Sequence, residues 1–497
     1  MGDIRKQSIS SSVFIYIGFA FGALNTFLYT KQGFFDPAQY GLIQAMASIN
    51  LVFYSVACLG MVSIMGRFYP YYYDSLKKNQ NDLLALAFTI AMIGFVLVVV
   101  GGIVFKPLFI RKFSEKSPQV VNYYFWLFPF TFFYLIFSIL EAHAAIHKKT
   151  VFPNFLKEGV VRMCTTLLII LYIFKVISFD LFVKCFACIY GITILLLYFY
   201  LQKFGEVTLV FKISSITRKK GKEMGLFVAY VFFGIVVSTL AQQADSLVIT
   251  SQRGAADLGI FTLNLFIATV VQVPQRSMVA IATPYMAQAW KDMNYDEIQR
   301  IYSRSSINLL IISLFIFCNI WLNLDNGYKL FHIDKAYEAG KYVFFIMGIS
   351  KIIDMGTGVN SQLLYTSPSW RFEFYANMIL AIIALPLNYF LVRHFGIIGA
   401  AFSWLISDTV YNAIRILFIN KKYNMQPFTI KTIRAILCAI GVYIIVYLLT
   451  KNFSGWSGMI GKSVLFSSLF IAIVYYLNLT PDFIPIINSI KAKLKRG

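Results

Sequence analysis

The sequence predicts an all-α polytopic membrane protein: about fourteen transmembrane helices, in two six-helix lobes plus two C-terminal helices. Three observations predict it. Of 497 residues, 59% are hydrophobic and only 13% charged, with a mean hydropathy of +0.70, whereas soluble domains carry about 25% charged residues. The apolar residues gather into windows long enough for helices that cross a hydrocarbon core of about 30 Å. A strongly basic connection near the middle of the chain, flanked by similar short motifs, divides the windows into two sets.

The windows lie at 11–30, 41–66, 83–105, 121–146, 158–176, 179–201, 226–250, 258–285, 305–323, 342–365, 373–392, 396–419, 433–450 and 459–478. The first follows MGDIRKQSIS directly. It is longer than a signal-peptide core and lacks a small-residue cleavage site, so it reads as a retained span. The fifth and sixth divide at Lys175–Asp180. Pro274 and Pro284 interrupt the eighth, and Gly356 and Gly358 interrupt the tenth, as in transporter helices that break beside a substrate site.

The longest connection on one side, 202–225, carries the run Arg218-Lys219-Lys220-Gly221-Lys222. It separates an N-lobe (1–201) from a C-lobe (226–420), leaving 421–497 for spans thirteen and fourteen and a basic tail. A repeat supports the division. Asp36-Pro37-Ala38-Gln39-Tyr40-Gly41 opens span two and Gly254-Ala255-Ala256-Asp257-Leu258-Gly259 opens span eight, so Gly41 and Gly259 correspond.

The formal charge of +22 would suggest nucleic acid in a soluble chain. Here it follows the positive-inside rule, and no basic run is interleaved with stacking aromatics. Basic residues on the N-terminal side of the alternating connections outnumber the rest about two to one. That count predicts both termini in the cytoplasm and an even number of spans.

Several chemistries are excluded. The six cysteines all sit in apolar stretches, and Cys185–Cys188 lacks the second pair or histidines that a zinc site needs. Four histidines leave little material for a catalytic metal. No P-loop, protease motif or other cofactor signature occurs.

Of the charges inside the windows, seven are expected at membrane depth: Glu141, Asp245, Arg276, Lys351, Asp354, Asp408 and Arg415. Against lipid each would cost about 2.5–3.5 kcal/mol, so they are expected to face protein or a water-filled cavity, except Glu141, which lies about one turn from the inner end of span four, within reach of the interface. Lys351 and Asp354 stand three apart, a spacing that lets them pair. Asn264, Ala268, Gln272 and Arg276 form a polar stripe on span eight, and Ser238, Gln242 and Asp245 another on span seven. Arg67 and Arg162, near the inner ends of spans two and five, join Arg276 and Arg415 in a prospective cationic mouth. Arginine suits phosphate because its planar fork donates two hydrogen bonds to one anion.

Phe35-Asp36-Pro37-Ala38-Gln39-Tyr40-Gly41-Leu42, Gly66-Arg67-Phe68-Tyr69, Asp245-Ser246-Leu247, Leu258-Gly259-Ile260-Phe261 and Phe395-Gly396-Ile397-Ile398-Gly399 carry a further reading. Together they resemble the polysaccharide flippase branch of the multidrug/oligosaccharidyl-lipid/polysaccharide exporter superfamily, with Phe261 where that family usually has Tyr. The resemblance runs over residues 10–420. It implies two bundles around a cavity that opens alternately to each side of a bacterial cytoplasmic membrane. The implied substrate is an oligosaccharide on an undecaprenyl pyrophosphate, flipped for surface polysaccharide synthesis, with no enzymatic step and no cofactor. On this reading Arg276, Lys351 and Arg415, with Arg67 and Arg162, contact the headgroup. Asp245, Asp354 and Asp408 couple transport to H+ or Na+ or hold the cations. The implied partners are this substrate, the membrane lipids and the coupling ion.

Two transporter alternatives stand beside it, a lipid II flippase and a cation-coupled drug antiporter of the same superfamily. The antiporter would want a net acidic cavity, whereas these charges are mixed. A membrane-embedded glycan polymerase or ligase would need a large outer loop, and the longest outer connections are 106–120 and 324–341.

Overall fold

The computed structural model describes residues 17–482. The basic residues Arg5 and Lys6, the start of the first window and the tail cations from Lys491 onward lie outside them. Among the described residues the regular structure is helical. Each of the fourteen windows contains a helix, and several helices extend past their windows because hydropathy marks only the apolar length.

In the first half α1 is Ile17–Thr30, α2 Pro37–Ala57, α3 Met61–Ser75, α4 Leu83–Phe113 and α5 Leu127–Ile146. Helix α6 spans 151–173 and contains a π-helical turn, Phe155–Val160. Helix α7 is Phe179–Lys203, with a short break before Tyr190. Then come α8, Ser215–Gln242, and α9, Ala244–Gln252.

Local chemistry accounts for the ends. Asp36 caps α2 in a capping box with Gln39, and Pro37 stands in the first turn, where its missing N–H costs nothing. Window two is two helices because Leu59 and Gly60 take positive φ. Ser178 caps α7 by accepting from Leu181 N at 3.2 Å, so spans five and six are separate helices. Ser214 caps α8 by accepting from Thr217 N at 3.1 Å, which puts Arg218–Lys222 on a helix. The polar stripe drawn through Ser238, Gln242 and Asp245 is broken between α8 and α9 at Gln243, which is non-helical.

In the second half α10 is Ala255–Lys291, α11 Tyr295–Leu330, α12 Lys341–Gly356, α13 Asn360–Thr366, α14 Trp370–Tyr423, α15 Ile430–Thr450 and α16 Gly455–Tyr476. Pro274 and Pro284 do not interrupt α10, which continues through both. Neighbouring helices and polar side chains let a membrane helix carry such prolines. Helix α14 is two spans meeting at Gly396, whose φ of 63° and ψ of −143° are not helical. The break in span ten is real: α12 and α13 are bent by 46°.

Among the described residues, ten helices are long and apolar enough to cross a membrane, eleven with the bent α12–α13 pair. The 54-residue α14 supplies a further crossing at its kink. The chain is a multi-pass membrane protein.

The chain forms two compact units that meet in sequence at Gly259 and Ile260. In the first, α2 packs on α4, α5, α8 and α9, and α5 on α7. The two motif glycines meet here. A Cβ on Gly41 would overlap the Ala255 carbonyl oxygen, and one on Gly259 would overlap that of Pro37. Each glycine faces the residue four before the other, so the repeat's two copies cross reciprocally, and only a residue without a side chain fits. In the second unit α12 packs on α11 and α14, and α11 on α15 and α16.

Candidate functional site

The strongest concentration of buried polar chemistry lies in the second unit, around the break between α12 and α13. A broken helix leaves backbone groups unpaired, and without water these must find partners. Ser305 Oγ accepts from Val359 N at 3.3 Å, and Ser306 Oγ donates to the Gly356 carbonyl. Thr357 Oγ1 donates to the Asp354 carbonyl at 2.7 Å. Gly358, at φ +70°, passes so close to α11 that a Cβ would fall 2.8 Å from Ser305 Oγ. The break is therefore built in.

From it a network runs in two directions. Asp354 Oδ2 accepts from Gln272 Nε2 at 2.8 Å and from Gln275 Nε2 at 3.1 Å. Asn412 Nδ2 points at Asp354 Oδ1 from 3.4 Å. Asn360 Nδ2 donates to Asn412 Oδ1 at 2.8 Å, which carries the network across the break. Beyond it stands Arg415. Its Nε donates to Glu373 Oε2 at 2.9 Å, and its Nη2 donates to Glu373 Oε1 and to Tyr411. Ser361 Oγ donates to Glu373 Oε1 at 2.8 Å, and Tyr411 donates to Asn377 Oδ1 at 2.7 Å. The Arg415 and Glu373 side chains are 6% and 9% exposed. On the other side, Ser350 Oγ donates to Asp408 Oδ2 at 2.6 Å, and the Lys351 ammonium lies 5.3 Å from the Trp404 ring centre.

Three expectations change. Lys351 and Asp354 form no ion pair among the described residues; side-chain amides hold Asp354, and Lys351 turns to Trp404. Arg415 is paired, but with Glu373 rather than with Asp408 or Asp354. The stripe on α10 splits by role. Asn264 accepts from Tyr328 at 2.6 Å and donates to the Tyr337 carbonyl at 3.3 Å, binding helices together, while Gln272 reaches the charged network. Arg276 is exposed and has no ion pair among the described residues.

The other predicted residues belong to the first unit. Asp245 is buried at the start of α9. Arg67 is exposed, with its guanidinium 4.4 Å from the Phe227 ring centre. Arg162 stands halfway along α6 rather than near its end, because that helix begins at Val151. It donates to Glu158 Oε2 at 2.7 Å. The residue missed most plainly is Glu373. It lies on the first position of its window, where a charge reads as a helix end.

No group of three or more His, Cys, Asp or Glu among the described residues is arranged to hold a metal ion, and the cysteines are free thiols.

This architecture defines a class of fold, one shared with a lipid II flippase and with multidrug transporters of the MATE family. The chain superposes on MurJ, a lipid II flippase in an inward closed conformation, with a TM-score of 0.70 and 15% identity, over 95% of this chain and 98% of that one. An inward-facing multidrug resistance transporter of the MATE family matches at 0.56 and 12% identity, over 83% and 98%. A second MATE multidrug transporter, DinF-BH, matches at 0.51 and 16%, over 84% and 95%. No family model and no curated protein matches the sequence.

Proposed function

We propose that the chain is a flippase that moves an undecaprenyl-pyrophosphate-linked oligosaccharide from the inner to the outer leaflet of a bacterial cytoplasmic membrane by alternating access. The observation that carries the proposal is the mixed-charge network of the second unit. Asp354, Asp408, Lys351, Arg415 and Glu373 meet at a broken helix, an arrangement a merely stable bundle does not need, since buried ion pairs are weak sources of stability. The fold likeness supports it. The lipid II flippase matches nearly the whole chain, whereas the inward-facing MATE exporter leaves about a sixth of it unmatched.

In this reading Arg276, exposed and without an ion pair, meets the pyrophosphate first, and Lys351 follows it. Arg415 joins only if Glu373 releases it. Asp354 and Asp408 are the acids that take up H+ or Na+, with Asp245 a third in the first unit. Within the first unit, Arg67 is the exposed cation open to an anionic group, whereas Arg162 is held by Glu158. Mixed rather than acidic charge favours an anionic lipid over a cationic drug, and lipid II remains the second reading because of the MurJ-like fold. The lobes 1–201 and 226–420, the connection 202–225, and the cytoplasmic placement of both termini belong to the same proposal.

Purified protein in liposomes tests it. Flipping of a lipid-linked oligosaccharide, abolished by Arg276→Gln, is expected; movement of ethidium alone would overturn the proposal. Reporter fusions at Lys219 and Lys335 should report cytoplasm and outside, respectively.

A further inference from the structure

The first unit holds a second charged centre. Lys157 Nζ donates to both oxygens of Glu141, at 3.2 and 3.0 Å, and Arg162 pairs with Glu158 at 2.7 Å. Lys157 and Glu158 lie on the π-helical turn of α6 and Arg162 just beyond it. Such turns rotate side chains out of the helical register and recur at functional sites.

Packing against α1 fixes the arrangement. Arg162 Nη1 donates to the Gly18 carbonyl at 2.7 Å. A Cβ on Gly18 would fall 2.5 Å from the Glu158 carbonyl oxygen, and one on Gly22 would fall 2.6 Å from Arg162 Nη1. Asn25 Nδ2 donates to the Arg162 carbonyl at 3.0 Å, one turn further along. The Tyr134 side chain is within electrostatic reach of Lys157, Glu141 and Glu158, and its ring packs edge-on against Tyr190 at 4.9 Å.

Unlike Arg415 and Glu373, these four side chains remain 23–35% exposed. Partly exposed charges on apolar helices are costly against lipid and must meet water or a polar ligand. The balance of charge says which. A bare phosphate or pyrophosphate only accepts hydrogen bonds, and the carboxylates of Glu141 and Glu158 would repel it. A sugar hydroxyl both donates and accepts. A vicinal diol can therefore bridge each carboxylate and its neighbouring cation without leaving either charge uncompensated.

We infer that Glu141, Lys157, Glu158 and Arg162 form a glycan-binding site in the first unit, one that holds sugar rings rather than the pyrophosphate. The inference rests on the proposed glycan-carrier substrate and adds where its sugars bind.

The test uses the full chain in detergent and two probes without lipid or phosphate, N,N′-diacetylchitobiose and a hyaluronan tetrasaccharide. Saturation-transfer NMR should show ring-proton signals for at least one. Lys157→Gln and Glu141→Gln, which keep most of the side-chain length, should reduce that signal at least five-fold while the unfolding temperature stays near that of the parent. Three results would overturn the inference: no signal from either sugar, a signal unchanged in both variants, or displacement of the sugar by inorganic pyrophosphate. Flipping in liposomes, measured in parallel, separates the two readings. A protein that flips its lipid-linked substrate but ignores both sugars defeats this inference alone. One that binds sugar but flips nothing defeats the transport reading alone.

Discussion

The two charged centres use the same chemistry under different solvation. Arg415 and Glu373 are almost wholly removed from solvent and surrounded by Tyr411, Ser361 and Asn360. Lys157–Glu141 and Arg162–Glu158 keep a quarter to a third of each side chain exposed. A buried pair is strongly destabilised by losing one member, because the survivor is an unpaired charge without water. A half-exposed pair is rehydrated when broken. The buried pair therefore holds together unless both members change, whereas the partly exposed pairs are free to exchange their partners for a ligand.

The largest effect expected is at the buried pair. Arg415→Gln should cost about 3–5 kcal/mol, seen as loss of monodisperse protein on size-exclusion chromatography. Adding Glu373→Gln should restore most of the yield, and a double variant as poor as the single would show that the pair is not the cause. Next comes Gly41→Ala, which drives a methyl into a backbone oxygen. Overpacking of this kind costs about 1–3 kcal/mol, and Gly259→Ala should match it in thermal melting, because the crossing is reciprocal.

Smaller still is Glu158→Gln. Its coupling to Arg162 in a double-mutant cycle is expected below about 1 kcal/mol; a value as large as that for Glu373 and Arg415 would erase the contrast between the centres. Smallest is Arg276→Gln, which should leave the melting temperature unchanged and abolish flipping. A lowered melting temperature would reveal a structural role for this exposed side chain.

How far these centres were legible follows from where each residue sits relative to its apolar window. Asp354, Asp408 and Arg415 lie well inside theirs, and their cost in lipid marked them at once. Glu373 begins its window, and Lys157 and Glu158 lie at the edge of theirs, because Pro153 and the nearby lysines depress hydropathy there although the helix begins at Val151. Proline in a first turn does not stop a helix. The signal that could have found the second centre was present: Glu158 and Arg162 are four apart, and Gly18 and Gly22 form a small-residue pair on the first span.

The Lys351–Asp354 pairing failed for a different reason. Spacing on one helix says only that two side chains can meet, and it is blind to the glutamines that α10 brings to Asp354. The correspondence of Gly41 and Gly259, by contrast, was visible as a repeat, but their mutual contact was not.

By itself the sequence determined an all-helical, multi-pass membrane protein, the approximate number and the order of its apolar helices, the break at Gly356–Gly358 and the presence of charges that must avoid lipid. Each of these depends on local apolar area, proline and glycine conformation, or the cost of moving a charge out of water, all of which are properties of a short stretch of chain. Only the tertiary structure decided which acid holds Arg415, which residues support Asp354, and that Lys157 and Arg162 stand half-exposed together. Those outcomes depend on how each helix is rotated about its axis and how closely backbones approach at residues such as Gly18 and Gly358. Rotation and approach are set by packing among distant segments, which a linear pattern of hydropathy does not encode.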